Sequence, residues 1–210
     1  MEADPAVVDP AAAAQEYIQT LRHALTELDI PALTGVLGVL EKAYIDRRTI
    51  FVCGNGGSAA TASHMVVDIA KNTRCPGAPP VRAISLVDHV SALTAYANDE
   101  GYENVFSGQL VGLVEPGDVV VGISTSGNSP NVLKALAFAR EAGATTIGLL
   151  GSPGGTAREL CDAFVTVTGG SIEREEDVHM MLVHIITRHL RALVRGNTWS
   201  ALTTASARTQ

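Results

Sequence analysis

Residues 119–130 read VVVGISTSGNSP and join a short apolar run to a polar loop. The run 119–123 is continuously apolar apart from one glycine, as expected for a strand buried on both faces of a parallel sheet. Pro130 fits the first turn of a helix, and the periodicity after it predicts a helix over 131–142. The stretch therefore predicts a strand, a loop and a helix in succession.

The same order of elements recurs along the chain. Similar apolar runs, bounded by Gly, Pro or Asp, lie at 49–53, 81–86, 145–149 and, more weakly, 163–168. Helical periodicity separates the runs, at 59–70, at 89–97 together with 105–113, and at 156–161, and a long helical pattern at 175–194 closes the chain. This alternation predicts an α/β fold, a three-layer doubly wound sandwich with a parallel sheet of about five strands.

The N-terminal segment, 11–46, is helical in pattern. Tyr17, Leu21, Leu25 and Leu28 repeat at helical spacing, and a second amphipathic stretch spans 30–44. We expect these helices to pack beside the sheet or against another subunit. The predicted organisation is a flexible N-terminus at 1–10, a single domain at 11–196 and a flexible tail at 197–210.

Composition and charge narrow the functional classes. A net charge of −7 and a pI of about 5.3 argue against a nucleic-acid partner. Cys53, Cys75 and Cys161 show no CxxC spacing, which argues against a disulfide framework and a cysteine zinc site. Residues 1–14 do not resemble a signal peptide, and no apolar run reaches the roughly 20 residues of a membrane span. We expect a soluble cytoplasmic protein with no membrane partner.

The loop after 119–123 is rich in hydroxyl groups. Its four hydroxyl side chains, within six residues at a strand end and ahead of a helix, belong to Ser124, Thr125, Ser126 and Ser129. Neutral donors and the positive end of a helix dipole suit a phosphate dianion. A helix cap needs only one hydroxyl, so the loop predicts a phosphate site.

A second loop, Gly54-Asn55-Gly56-Gly57-Ser58, follows the run 49–53. Its glycines permit close approach of a ligand, and Ser58 could cap the next helix while donating to an anion. A flexible turn with an N-cap is the alternative. Neither the GxGxxG spacing nor the Lys-Ser/Thr ending of a P-loop is present, so we expect no nucleotide cofactor.

Four side chains on two helices offer acid–base or metal chemistry. His64 and Asp68 are spaced i, i+4, while Glu176 and His184 share one face of the last helix. Two imidazoles and two carboxylates could hold zinc or another divalent metal. A facing carboxylate and imidazole could instead form an acid–base pair, and an ordinary surface contact is the third alternative.

Three segments together resemble the sugar isomerase (SIS) domain. They read GNGGS at 54–58, LTAYANDEGYE at 93–103 and GDVVVGISTSGNSPNVLKAL at 117–136. The chain is most similar to the phosphoheptose isomerase branch, and the similarity covers nearly all of it. This resemblance implies an aldose–ketose isomerase that converts sedoheptulose 7-phosphate to D-glycero-D-manno-heptose 7-phosphate. It also implies a homo-oligomer, typically a tetramer, with zinc bound in some members.

The resemblance implies roles for particular residues. Phosphate and substrate would contact Asn55, Gly56, Gly57, Ser58, Asp99, Ser124, Thr125, Ser126, Ser129 and Glu176, and a metal would use His64, Asp68, Glu176 and His184. His184 and Asp68 would be the catalytic pair of an enediol route, with acid and base unassigned. Asp99 would orient hydroxyls or lie at a subunit contact. The family usually has Glu where this chain has Asp68 and Gln where it has Glu176, so the substrate could differ from that of the family.

The remaining histidines are expected to be mostly structural. His179 lies about 140° around the helix from His184 and should not share its face. We expect His189 to face solvent or an interface, and His89 to be structural or to touch substrate hydroxyls. Two other functions remain open: a non-catalytic phosphosugar-binding regulator, and an isomerase of another heptose or octose phosphate in secondary metabolism.

Overall fold

The computed structural model describes residues 9–206, with side chains described for residues 9–196. Five strands form one sheet: β1 (Thr49–Gly54), β2 (Arg82–Ser85), β3 (Val119–Ser124), β4 (Thr145–Gly151) and β5 (Ala163–Val167). Eight α-helices accompany them within the described residues: α1 (Pro10–Thr26), α2 (Ile30–Ile45), α3 (Gly56–Lys71), α4 (Val90–Asp99), α5 (Ser107–Leu110), α6 (Pro130–Glu141), α7 (Ala157–Leu160) and α8 (Ile172–Ser206). A 3₁₀ turn spans Tyr102–Asn104.

All strand pairs are parallel, and the strand order is β2-β1-β3-β4-β5. β1 and β3 are buried along their whole length, and β4 is buried except at its first residue, as their continuous apolar sequences predict. The chain crosses from β1 to one side to form β2, and then returns to place β3 on the other side of β1. The carboxyl ends of β1 and β3 therefore meet where the strand order reverses, the place at which such folds bind ligands.

Two apolar layers cover the two faces of the sheet. One packs α2, α3 and α8 against alternate strand residues, with Leu40, Met65 and Leu182 fully buried. The other contains Phe106, Leu136 and the helices α5 to α7. Helices on both faces of a five-stranded parallel sheet confirm the predicted three-layer doubly wound fold.

The ends of several elements differ from the sequence-based expectation. α3 begins at Gly56 with Asn55 as N-cap, so Ser58 lies in the first turn and is not the cap. α8 begins at Ile172 and its backbone remains helical to Ser206, beyond the boundary expected at residue 197. Residues 1–8 of the flexible N-terminus predicted at 1–10, and the last four residues of the predicted tail, lie outside the described residues, whereas Pro10 already begins α1. No helix among the described residues has the length and apolar character of a membrane span.

Candidate functional site

The hydroxyl-rich loop converges on one point beside the N-terminus of α6. Ser124 Oγ lies 3.4 Å from both Ser126 Oγ and Ser129 Oγ, and it accepts a hydrogen bond of 3.1 Å from the Gly127 N–H. Ser129 is the N-cap residue of α6, yet its side chain makes no capping hydrogen bond. Its hydroxyl therefore remains available to a ligand at the positive end of the helix.

The two predicted loops form one cavity. Its volume is about 180 Å³, and its lining residues are Asn55, Gly56, Gly57, Ser58, Ile123, Ser124, Thr125, Ser126, Ser129 and Glu176. The N-termini of α3 and α6 both border it, so hydroxyl donors and two helix dipoles act together. Nine of the ten predicted substrate-contacting residues line this cavity; Asp99 does not. We refer to it as the anion cradle.

Asn55 holds the two loops together. Its amide exchanges two hydrogen bonds with the amide of Asn131, of 2.8 and 2.9 Å, and the Tyr102 hydroxyl donates a third, of 3.0 Å, to Asn55 Oδ1. Asn131 and Tyr102 were not among the predicted site residues. Their role depends on side chains that the fold brings together from distant segments, which residue type alone could not reveal.

A second cavity of about 590 Å³ adjoins the cradle through Asn55 and Ser129. Its other lining residues are Tyr102, Glu103, Pro130, Asn131 and Lys134. Lys134 Nζ donates a hydrogen bond of 2.9 Å to Asn104 Oδ1 and lies 3.7 Å from a Glu103 oxygen. Lys134 is therefore already paired with one carboxylate and one amide oxygen.

α3 and α8 run side by side in the same direction, in a register set by contacts at both ends. At one end the Glu176 carboxylate lies against Gly57: all three of its carboxylate atoms would be 2.2–2.3 Å from a Cβ placed there. At the other end Arg191 Nε donates a hydrogen bond of 2.8 Å to the carbonyl of Asn72. Glycine at position 57 is therefore what allows this carboxylate to approach the cradle.

Between these ends lies a compact histidine–carboxylate cluster. His64 Nε2 and His184 Nε2 are 3.1 Å apart, with their rings at 70° to one another. Asp68 Oδ2 lies 3.4 Å from His64 Nε2, while Asp68 Oδ1 accepts a 2.6 Å hydrogen bond from Asn72. Both imidazoles are exposed and Asp68 is largely buried. The cluster thus presents two ring nitrogens to solvent above an anchored carboxylate.

The donor set of this cluster suits a divalent metal. One ligand atom from each of His64, Asp68 and His184 lies within 4.8 Å of the others. Two nitrogens bound to one tetrahedral zinc ion lie roughly 3.4 Å apart, close to the separation found here. Glu176 is not in this group. The structure brings three of the four predicted metal ligands together and places the fourth at the anion cradle.

Asp99 and two of the other histidines lie elsewhere. Asp99 is exposed at the end of α4, where Asn98 donates a 2.7 Å hydrogen bond to its carboxylate. His89 is the N-cap of α4, and its Nδ1 accepts from the Ala92 N–H at 3.0 Å. His189 Nε2 lies 3.3 Å from Glu41 Oε2 on α2. The roles predicted for Asp99 in substrate binding or a subunit contact stay predictions.

His179 is fully buried on a face of α8 different from that of the exposed His184. Among the residues that the structure describes, neither ring nitrogen has a hydrogen-bond partner of good geometry. Burial lowers the pKa of His179 to about 4, and the nearby Leu150 backbone acts in the opposite direction. His179 is therefore neutral near pH 7.

Burial also raises the pKa of Glu175, and a hydrogen bond from the Gly169 backbone acts in the opposite direction.

Comparisons of sequence and of structure with known proteins indicate the same family. The profile of the SIS domain matches residues 15–151. A phosphoheptose isomerase of Trichlorobacter lovleyi is 41% identical over 174 residues, covering 82% of this chain and 87% of that protein. Another, of Geotalea daltonii, is 45% identical over 158 residues, covering 74% and 81% respectively. The structure of phosphoheptose isomerase GmhA from Neisseria gonorrhoeae superposes with a TM-score of 0.78 at 32% identity, covering 87% of this chain and 96% of that one.

Proposed function

Because the chain belongs to the SIS domain family, we propose that it is an aldose–ketose isomerase of a long-chain sugar phosphate. The substrate we propose is sedoheptulose 7-phosphate, with D-glycero-D-manno-heptose 7-phosphate as the product, in keeping with relatives that are named phosphoheptose isomerase. The observation that carries the proposal is the placement of an anion cradle and an acid–base cluster along one pair of parallel helices.

The separation between cradle and cluster supports a long substrate. Gly57 and His64 are seven residues apart on α3, and a rise of 1.5 Å per residue separates them by about 10 Å along the axis. This rise favours a substrate longer than a three-carbon sugar phosphate.

The cradle would hold the phosphate group. Hydroxyls of Ser58, Ser124, Thr125, Ser126 and Ser129 would donate to its oxygens, together with the first N–H groups of α3 and α6. Hydrogen bonds to a charged acceptor are stronger than neutral ones. Binding energy from this remote group would hold the open-chain sugar with its carbonyl at the histidine cluster.

Proton transfer would then take place at His184 and Asp68. One of them removes the proton from the carbon beside the carbonyl, and the carbonyl oxygen gains a proton to give a cis-enediol. Returning a proton to the neighbouring carbon, with loss of the proton from the other oxygen, completes the shift of the carbonyl. The Nε2–Nε2 contact requires that at least one of His64 and His184 lack a proton on that nitrogen, so the pair contains a base.

We assign a divalent-metal site to His64, Asp68 and His184, with zinc as the preferred ion for this donor set. When bound, such an ion would polarise the substrate carbonyl. His64 and His184 would hold it through their Nε2 atoms, and Asn72 would orient the Asp68 carboxylate.

A homo-oligomer, of which a tetramer is the form we propose, would enclose this open cluster. His64 is exposed, and Val67 one turn away on α3 is 55% exposed although apolar. Exposed apolar side chains beside a reaction centre favour a contact with another subunit, which would exclude water there. Light scattering on the purified protein gives the assembly mass directly.

A substrate panel tests the proposed function. The purified protein is incubated with sedoheptulose 7-phosphate, fructose 6-phosphate and dihydroxyacetone phosphate, and the aldose products are quantified. We expect the highest kcat/KM for the seven-carbon ketose and no turnover of the three-carbon one. A preference for the triose would contradict a long-chain substrate, and turnover of none of the three would contradict sedoheptulose 7-phosphate as the substrate.

A further inference from the structure

The backbone of α6 determines which way the Asn131 amide faces. The Val132 N–H donates a hydrogen bond of 3.0 Å to Asn131 Oδ1. A backbone N–H can only donate, so the oxygen of the Asn131 amide, and not its nitrogen, must lie beside it. The nitrogen then takes the other position, where it donates a 2.9 Å hydrogen bond to Asn55 Oδ1. The orientation of Asn131 therefore fixes that of Asn55.

This orientation occupies the oxygen of the Asn55 amide and leaves part of its nitrogen free. An amide oxygen has two lone pairs, and an amide nitrogen has two hydrogens. Asn55 Oδ1 accepts from Asn131 and, at 3.0 Å, from the Tyr102 hydroxyl, whereas Nδ2 donates at 2.8 Å to Asn131 Oδ1. Within the described part of the chain Nδ2 makes no other hydrogen bond. The polar capacity left to Asn55 is therefore one N–H donor.

The two cavities that Asn55 borders show where this donor is available. Asn55 lines both the anion cradle and the adjoining cavity of about 590 Å³, whereas Tyr102 and Asn131 line the adjoining cavity and not the cradle. The Asn55 oxygen is therefore held toward the adjoining cavity, which leaves the nitrogen for an anion in the cradle. An oxygen in place of that nitrogen would repel the oxygens of a phosphate.

The same hydrogen bonds keep the first turn of α3 open. Asn55 is the N-cap residue of α3, yet its side chain makes no capping hydrogen bond. The side-chain oxygen of an N-cap Asn ordinarily accepts from the N–H two or three residues later, here that of Gly57 or Ser58. Because Asn131 and Tyr102 occupy this oxygen, both N–H groups stay available to an anion, and both residues line the cradle.

We infer that Asn131 is a positioning residue, which holds the Asn55 amide so that it donates to an anion in the cradle and does not cap α3. The Tyr102 hydroxyl supports the same orientation. This inference rests on the proposed phosphate site and does not depend on turnover. Without Asn131, the Asn55 oxygen is free to turn to the first turn of α3 and to occupy the N–H groups that an anion would use.

A double-mutant cycle between Asn131 and Asn55 tests whether one residue acts through the other. Dissociation constants for inorganic phosphate are measured by NMR titration of the full chain, for the wild type, Asn131→Ala, Asn55→Ala and the double variant. We expect each single substitution to weaken phosphate binding by about tenfold, as for a lost hydrogen bond to a charged group. The double variant should bind about as strongly as Asn55→Ala, whereas independent effects would multiply to about a hundredfold.

The side-chain amide signals of Asn55 give a second readout that a merely structural role would not change. Phosphate should shift one of the two N–H proton signals in the wild type and neither of them in Asn131→Ala. Thr146→Val is the matched control, because Thr146 is also buried and its hydroxyl donates a 2.7 Å hydrogen bond to the Leu160 carbonyl near the amino end of β4. This control should lose stability and keep its affinity for phosphate.

Tyr102→Phe covers the case in which Asn131→Ala does not fold, because Tyr102 is 59% exposed. It should weaken phosphate binding by roughly two- to tenfold in the wild-type background and leave it unchanged in Asn55→Ala. Multiplying effects in these cycles would overturn the inference, and so would unchanged affinity in both Asn131→Ala and Tyr102→Phe.

The remaining outcomes separate this inference from the proposed function. No phosphate binding by the wild type would contradict the phosphate site and overturn the inference with it. An equal loss of affinity in Thr146→Val would also overturn it, because the effect would then follow stability. Coupling between Asn131 and Asn55 without turnover of sedoheptulose 7-phosphate would support the inference and contradict the proposed substrate alone.

Discussion

His64 Nε2 and His184 Nε2 lie 3.1 Å apart, although 120 residues separate them in the sequence. The contact joins α3 and α8, the same helices that meet at the anion cradle through Gly57 and Glu176. One helix pair therefore sets the distance between the proposed phosphate site and the proposed reaction site. We expect substitutions in the anion cradle to change KM and substitutions in the histidine–carboxylate cluster to change kcat.

Replacing His184 by Ala should abolish turnover while leaving the fold intact, because His184 is exposed and belongs to the proposed catalytic pair. Loss of a general acid or base lowers kcat by about 10²–10⁴-fold. His189→Ala is the matched control: the residue lies on the same helix but contacts Glu41 on α2, away from the cluster. Steady-state kinetics and circular dichroism measure both effects. Near-normal kcat in His184→Ala would refute the catalytic role.

Ser129→Ala should raise KM without lowering stability. The Ser129 hydroxyl makes no capping hydrogen bond to α6, so its removal costs the helix little. Loss of one hydrogen bond to a charged phosphate raises KM by roughly tenfold or more. The matched control is Asp29→Ala, because Asp29 Oδ1 accepts a 2.9 Å hydrogen bond from the Ala32 N–H at the start of α2.

For Asp29→Ala we expect the opposite pattern, a loss of about 1 kcal/mol in the free energy of unfolding with KM unchanged. Kinetics and urea denaturation of both variants separate binding from stability. An unchanged KM in Ser129→Ala would show that this hydroxyl does not bind the phosphate.

Gly127→Ala should destabilise the protein strongly. Gly127 has φ +62°, and an added Cβ would lie 2.0 Å from the carbonyl oxygen of Gly154, a backbone atom that cannot move aside easily. Backbone strain alone costs about 1–3 kcal/mol, and the clash adds to it. Gly38→Ala in the middle of α2 is the control, since nothing lies within 4 Å of its added Cβ.

In Gly38→Ala the free energy of unfolding should increase by roughly 0.5–1 kcal/mol. Thermal or urea denaturation measures the two changes side by side. Equal stabilities for the two alanine variants would show that the loop does not require glycine at position 127.

His179 should make the protein less stable as the pH falls from 6.5 to about 4. Its pKa is about 4 in the folded chain, against an ordinary value of 6.5, so the unfolded chain binds more protons in this interval. The free energy of unfolding therefore falls by about 3 kcal/mol on acidification and is unaffected by this residue above pH 6.5.

His179→Met should remove this part of the pH dependence, while the exposed His23→Gln should retain it. Urea denaturation at several pH values between 4 and 7.5 gives the slopes. If His179→Met and the wild type lose stability equally over this interval, acid sensitivity comes from other groups.

Local sequence patterns predicted the sheet and the two loops because each depends on contiguous residues. The continuous apolar runs predicted the buried strands, and the hydroxyls of 124–129 predicted a polar loop that the structure places at the anion cradle. The grouping of His64 with His184 was also anticipated, through helix faces and family resemblance. The position of Glu176 was not, because its distance from the cluster depends on the parallel register of α3 and α8. The same holds for Asn131 and Tyr102, whose contacts with Asn55 arise from tertiary packing.

The most direct test of the isomerase assignment is incubation of the purified protein with sedoheptulose 7-phosphate in deuterated water, followed by NMR. We expect a new aldose 7-phosphate signal with deuterium on the carbon next to the carbonyl. The proton that a solvent-exposed base removes exchanges with deuterated water, so a deuteron is returned to the enediol. Formation of the aldose without deuterium would contradict proton transfer through the exposed His184–Asp68 pair. Absence of any aldose, with or without added zinc, would contradict sedoheptulose 7-phosphate as the substrate.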